Sequence, residues 1–238
     1  MSATPAEPRL ARIASLVADA SRARMLCHLL GGEFASASEL AAAAGVSAAT
    51  ASVHLAKLLD AGLLVCEARG RHRYHRLADA DVAHALEALS LVAERGTHDR
   101  NWSSPARARL RFARCCYGHV AGRFGVALLQ GLLDQQWLDA VEPGRFSLTA
   151  AGAQALTDMG VAGDDWLRCV DAPGRPLAYG CLDWSERRDH LAGRLAVALL
   201  AHFQAQGWLQ RDPGSRTLQL TSRGRQALGS WMPLAAWD

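Results

Sequence analysis

The 238-residue chain has one lysine, Lys57, and no apolar run near the ~18 residues a bilayer span requires. Its first residues, Met1-Ser2-Ala3-Thr4-Pro5, carry neither a charged start nor an apolar core, so no secretory leader is expected and a cytoplasmic setting is. It lacks a glycine-rich phosphate loop, a His-Glu-x-x-His pair and a nucleophile elbow. Those absences argue against an enzyme and leave a thiol- or metal-dependent one as a minor alternative. Charge of one sign is also missing: the net charge is +3, and residues 1–100 hold 11 Arg or Lys against 11 Asp or Glu. Bulk electrostatics therefore give no pull on nucleic acid, and any such pull must come from local clustering.

Six cysteines are present, Cys27, Cys66, Cys115, Cys116, Cys169 and Cys181. In a reducing compartment each reads as a buried small hydrophobe, a metal ligand or a redox sensor before half of a disulfide. Cys27 and Cys66 sit in apolar stretches and are expected in a core.

Half the residues are hydrophobic, enough for packed cores, and the length suits two domains. Leu10, Ile13, Leu16 and Val17 recur at helical spacing, and a second helix carries Met25, Leu26, Leu29 and Leu30 behind Ser21 as N-cap. Ser36-Ala37-Ser38-Glu39-Leu40 opens a short helix, Ala44-Gly45-Val46-Ser47 turns the chain, and Ser47–Ala61 makes another. A short helix, a glycine-bearing turn and a second helix is the geometry that lays one helix in a major groove. Ala51, Leu55 and Leu58 share one face of that second helix and should bury. Contacts to double-stranded DNA are expected from Ser47, Thr50, Ser52, His54 and Lys57, with Ser47 also an N-cap and His54 nearest the core edge. Gly62-Leu63-Leu64-Val65 begins a strand, and Arg69, Arg71, Arg73 and Arg76 with His72 and His75 fall within eight residues. That basic hairpin is a wing suited to the phosphate backbone. A helix over Asp79–Glu94 has an apolar stripe of Val82, Leu86, Leu89 and Val92, wider than one small domain needs, which suggests a second copy against it.

The stretch from Gly45 to Val65, with its Ser-x-x-Thr-x-Ser-x-His-Leu-x-x-Leu pattern, the Asp-Ala-Gly-Leu exit and the Arg-Gly-Arg-His-Arg-Tyr wing, resembles the ArsR/SmtB group of winged-helix repressors over residues ~10–97. The resemblance implies a homodimer joined through the first and last helices of this domain, and repression relieved by an effector. The Cys-x-Cys motif of the arsenic-sensing members is absent beside the reading helix. Asp81, His84, Glu94 and His98 do not have the spacing of the zinc-sensing members.

The second half repeats itself. His119-Val-Ala-Gly-Arg-Phe-Gly-Val-Ala-Leu-Leu129 matches His190-Leu-Ala-Gly-Arg-Leu-Ala-Val-Ala-Leu-Leu200 at an offset of 71, as Trp137-Leu138 matches Trp208-Leu209. After a one-residue slip, Leu148-Thr149 and Gly152 match Leu220-Thr221 and Gly224. Each unit reads as helix, strand, turn, strand and helix. The reactive residue types cluster at the head of each: Cys115, Cys116 and His119 in one, Cys181 and His190 in the other. The histidines correspond by duplication, whereas at the same offset the cysteines do not. Read as a helix, the first segment puts Cys116 and His119 at i,i+3 and Cys115 and His119 at i,i+4, a pairing suited to zinc; vicinal thiols would suit a trivalent metalloid. Nearby Arg111, Arg114 and Arg123 would depress a thiol pKa and favour redox sensing. The alternative is that Cys115, Cys116 and Cys181 fill the core and that buried His119 and His190 are hydrogen-bonded across the repeat axis.

The expected fold is mainly α with small β wings: residues 1–97 a winged helix-turn-helix, residues 105–238 two tandem winged-helix-like repeats (about 105–160 and 176–230), joined by a linker at 96–105. The expected function is a homodimeric DNA-binding repressor released by a thiol, metal or small-molecule effector. A winged-helix protein-interaction module is the alternative.

Overall fold

The computed structural model describes residues 9–32, 34–69, 72–93, 105–161 and 176–232. The chain forms two compact units, Met1–Leu86 and Glu87–Asp238. The linker expected at 96–105 lies outside the described residues apart from Pro105.

In the first unit, α1 (Arg9–Val17) precedes α2 (Ala20–Leu29), which Asp19 and not Ser21 caps: its carboxylate accepts from the Arg22 amide at 2.9 Å. The carboxylate is the stronger acceptor at a helix N-terminus, where the backbone also favours negative charge. After β1 (Ala35–Ser36), α3 (Ala37–Ala44) opens with a capping box between Ser36 and Glu39 and ends at Gly45, whose φ of 69° is left-handed. Ser47 then caps α4 (Ala48–Asp60), set at 104° to α3. That angle is what a helix-turn-helix needs. Ala51, Leu55 and Leu58 are buried as their spacing requires, with Met25, Leu26 and Leu40 among their core companions. The strands β2 (Leu64–Arg69) and β3 (His72–Leu77) form the hairpin, and β1 joins its β3 edge. The helix α5 (Ala80–Ala93) follows and crosses the division between the units. Leu89 and Val92 are exposed on it, at 50% and 55%. Cys27 is exposed and Cys66 half-buried, so neither is the core residue expected from its apolar neighbours.

In the second unit the duplication is built in three dimensions. The helix α6 (Pro105–Phe112) leads into β4 (Arg114–Cys116), β5 (His119–Ala121), α7 (Arg123–Asp134), β6 (Leu138–Glu142), β7 (Arg145–Leu148) and α8 (Ala150–Asp158). The second pass is β8 (Ala178–Leu182), β9 (Asp189–Ala192), α9 (Arg194–Ala205), β10 (Leu209–Arg211), β11 (Leu218–Leu220) and α10 (Ser222–Leu228). Thr149 caps α8 and Thr221 caps α10, each accepting from the amide of a glycine, Gly152 and Gly224. A Cβ on either glycine would stand 2.2 or 2.4 Å from the carbonyl of Trp137 or Trp208. The matched Thr, Gly and Trp are thus one repeated packing device.

The helical reading of the segment around Cys115 and Cys116 is wrong. Tyr117 and Gly118 have φ of 46° and 89°, the left-handed pair of a two-residue hairpin turn, and the chain on either side is strand. The sequence reading missed a hairpin at the head of each repeat, β4–β5 and β8–β9. These hairpins are exchanged. The strand β8 adds to β7, with Gly180 donating to the Gly144 carbonyl at 2.8 Å. Reciprocally β4 meets the other strand pair: Cys115 donates to Arg216 at 2.7 Å, and Leu218 donates to Ala113 at 2.9 Å. Phe124, Leu128, Leu132, Leu195, Leu199 and Phe203, from α7 and α9, share one core beneath them.

Candidate functional site

The outward face of α4 shows Ser47, Thr50, Ser52 and Lys57 exposed, with Val53 56% exposed. Part of its hydroxyl capacity is used within the helix. Ser47 accepts from the Thr50 amide at 3.2 Å, and Ser52 donates to the Ala48 carbonyl at 2.9 Å. His54 is half-buried at the edge of this face. Its Nδ1 lies 3.3 Å from the Arg22 guanidinium, which is itself held by the Leu16 and Ser15 carbonyls. The ring therefore braces α4 against α2.

On the hairpin, Arg69 and Arg73 are exposed, while Arg71 and the His72 side chain lie outside the described residues. Arg69 lies over the Phe34 ring at 4.0 Å and 3.4 Å from Glu67, which also takes Arg76 at 3.3 Å. One carboxylate therefore offsets part of the wing's charge. Arg73 donates to the Cys66 sulfur at 3.3 Å. His75 is buried behind the wing, and burial pulls its pKa below the ordinary value.

The second constellation lies at the heads of the two repeats. Cys116 is the cross-strand partner of His119, and Cys181 that of His190. One Cys–His pair per hairpin is thus a shared design. The cysteines are 65 residues apart and the histidines 71, because the first hairpin turns in two residues and the second spans eight between Cys181 and His190. A fixed-offset comparison hides that equivalence. One donor atom from each of the four residues, a sulfur or a ring nitrogen, lies within 4.8 Å of the other three, and all four residues are buried. The two Nε2 atoms are 3.0 Å apart.

Cys115 is not part of it. Alternate strand residues point to opposite faces, so Cys115 joins the core with Val120 and Phe124 while Cys116 faces Cys181. The vicinal pair is therefore no two-thiol chelate. Cys169 lies outside the described residues.

Behind the cluster stands a group the sequence reading passed over, Asp183. Its carboxylate lies 3.2 Å from His190 Nδ1 and accepts from Arg114 at 2.9 Å and from the Gly122 amide, with the Ser185 amide and hydroxyl at 2.9 and 2.7 Å on its other oxygen. Arg114 reaches on to Glu87 at 3.4 Å and to Ser185, and Arg216 also pairs with Glu87. Arg114, Asp183 and His190 are fully enclosed and Glu87 nearly so. Burial pushes the Asp183 carboxyl up, but its hydrogen bonding with His190 and the Arg114 charge outweigh that and hold it well below the carboxylate range. Burial likewise opposes charge on His190, yet Asp183 and Cys181 win and push its pKa up to about 9. The Cys116 thiol is pushed well up by its hydrogen bond with Cys181 and by burial. That reverses the arginine-depressed thiol expected from sequence: Arg114 spends its charge on Asp183 and Glu87. The run around Cys181 contained Asp183, but only the fold shows that it backs a histidine.

A family model for the helix-turn-helix domain matches residues 17–67. The HTH-type transcriptional regulator YdfF of Bacillus subtilis is 39% identical over 220 residues, covering 92% of this chain and 95% of that protein. The HTH-type transcriptional regulator CmtR of Mycobacterium tuberculosis is 39% identical over 86 residues, 36% of this chain and 72% of that one. Among solved structures, a homodimeric winged helix-turn-helix DNA-binding domain from Mycobacterium bovis matches 41% of this chain and 94% of its own, at 26% identity and a TM-score of 0.35.

Proposed function

Because this chain belongs to the ArsR/SmtB-type winged helix-turn-helix transcriptional regulators, we propose that it acts as a homodimeric repressor whose operator affinity is set by an effector bound in the second unit. The observation that carries the DNA half is the Ser47-capped α4, its first two outward turns lined by the small Ser47, Thr50 and Ser52 with Lys57 beyond, beside a hairpin bearing exposed Arg69 and Arg73. Phosphate contacts from Lys57, Arg69, Arg71 and Arg73 would set affinity and register. The small Ser47, Thr50 and Ser52 would let α4 approach the base edges closely. The exposed Leu89 and Val92 stripe on α5 supports pairing of two copies.

The second unit, read as two winged-helix-like repeats, is the proposed sensor. Its support is the convergence of Cys116, His119, Cys181 and His190 between hairpins from different repeats. An effector there controls DNA binding only through its difference in affinity for the DNA-fit and DNA-unfit states.

A gel-shift titration with the DNA upstream of the protein's own gene tests this, using reduced full-length protein at several salt concentrations. Specific retardation by a dimer is expected, weakening steeply with salt. Zinc, a thiol oxidant and a metal chelator are then added in separate arms. Retardation equal on unrelated DNA, or a monomeric protein, would end the repressor reading. The interaction-module alternative predicts no specific shift at any salt.

A further inference from the structure

We propose that Cys116, His119, Cys181 and His190 form one closed, four-coordinate site for a soft or borderline divalent cation of the zinc class, with Asp183 orienting His190 from behind. The donor set is two sulfurs and two imidazole nitrogens converging on a common centre. In a tetrahedral zinc site with Zn–S ~2.3 Å and Zn–N ~2.0 Å, ligand atoms stand roughly 3.3–3.8 Å from one another. Here the four donor atoms lie within 4.8 Å of one another and the two Nε2 atoms are 3.0 Å apart, so small rotations of the side chains close the shell.

The surroundings suit a cation as well. Two thiolates cancel a dication, so a buried site of this composition carries no uncompensated charge. Asp183 lies 3.2 Å from His190 Nδ1, so a proton on that nitrogen would face the carboxylate and leave Nε2 for the metal, the carboxylate–histidine–metal arrangement that orients ligands and raises their basicity. Asp183 is itself fixed by Arg114 and the Gly122 amide. Thiol oxidation accounts for less. Oxidants select exposed thiolates, and both cysteines are buried. A trivalent metalloid lacks a third sulfur, since Cys115 faces the other side of β4. Each hairpin supplies one Cys–His pair, so the ion would clasp one repeat to the other.

The site stands on these residues alone. Its role as the effector site rests on the repressor reading, and the test keeps the two apart. Chelator-stripped, reduced full-length protein is titrated with Co2+ and followed by absorption. The expected result is one cobalt per chain, giving the intense visible bands of a tetrahedral ion and near-ultraviolet sulfur-to-cobalt charge transfer, all abolished by Zn2+. Cys181→Ser should halve the charge-transfer intensity and weaken binding at least ~10-fold. Asp183→Asn should keep the tetrahedral bands while weakening affinity ~10–100-fold. Circular dichroism melts confirm that each variant is folded. Weak octahedral-type bands, or tight binding unchanged in a Cys116→Ser/Cys181→Ser double variant, would overturn the site. Tetrahedral cobalt uptake with operator affinity unmoved would keep the site and refute the sensor. Operator release by oxidant without the cobalt spectrum would do the reverse.

Discussion

Asp183→Ala, measured in chelator-treated protein so that no ion contributes, probes the central buried network. The carboxylate it removes accepts from Arg114 at 2.9 Å and from the Gly122 and Ser185 amides, and faces His190. Arg114 is fully buried, lies over the Trp184 ring at 4.6 Å and would keep only the longer 3.4 Å contact with Glu87 for its charge. Breaking a buried ion pair by removing one partner costs about 3–5 kcal/mol. The orphaned Gly122 amide adds to that with a cost of about 1–3 kcal/mol if no water reaches it. These losses share atoms and do not sum, so roughly 4 kcal/mol is expected. At about 2–4 °C per kcal/mol for a unit this size, the melting midpoint should fall by roughly 8–16 °C. Urea unfolding followed by tryptophan fluorescence isolates the effect, because all seven tryptophans follow Leu86 and report only the second unit. Asp134→Ala, on the exposed end of α7, is the control and should shift the midpoint by less than about 0.5 kcal/mol. Adding Arg114→Met to Asp183→Ala should recover part of the loss by removing the stranded charge. A loss below 1 kcal/mol for Asp183→Ala, or no recovery in the double variant, would refute the claim that this carboxylate compensates Arg114.

Gly193→Ala should destabilise the second unit by at least ~2 kcal/mol in the same assay. Its φ is 101°, and an added Cβ would stand 2.5 Å from the Leu177 carbonyl, so strain and collision combine. Gly122→Ala, its counterpart at φ 84° and 2.6 Å from the Arg111 carbonyl, should behave alike, and a neutral result at either would break the equivalence of the repeats. For His75 the folded pKa is depressed below the ordinary 6.5, so the native state prefers the neutral ring. The unfolded chain takes up the proton first, and stability present above pH ~6.5 falls as the pH drops below it, with a limiting slope of about 1.4 kcal/mol per unit for one proton. Far-ultraviolet circular dichroism during urea unfolding should show that slope shrinking in His75→Gln. At the wing, Arg73→Ala should weaken operator and non-operator DNA equally and reduce the salt slope by about one phosphate's worth, whereas selective loss of operator binding would make Arg73 a base reader.

The reading motif was legible in the sequence because its determinants are local. Ser36, Glu39, Gly45 and Ser47 act within a turn of their own positions, and Ala51, Leu55 and Leu58 declare their face by spacing alone. The duplication was legible for the same reason, since identical packing positions retain identical residues. Legibility failed where partners are distant. His54 reads as nearest the core edge from spacing alone, but its partner Arg22, 32 residues earlier, is visible only in the fold. Cys115 and Cys116 looked like one vicinal pair until the Tyr117-Gly118 turn made a strand and sent them to opposite faces.

The sequence by itself determined the helix-turn-helix, the basic hairpin and the twofold repetition behind it. Only the tertiary structure decided that the hairpins are exchanged between repeats. That exchange brings Cys116 and His119 against Cys181 and His190 and sets Asp183 behind them. The physical reason is that side-chain convergence depends on the packing of two hairpins more than sixty residues apart, and no local spacing encodes it.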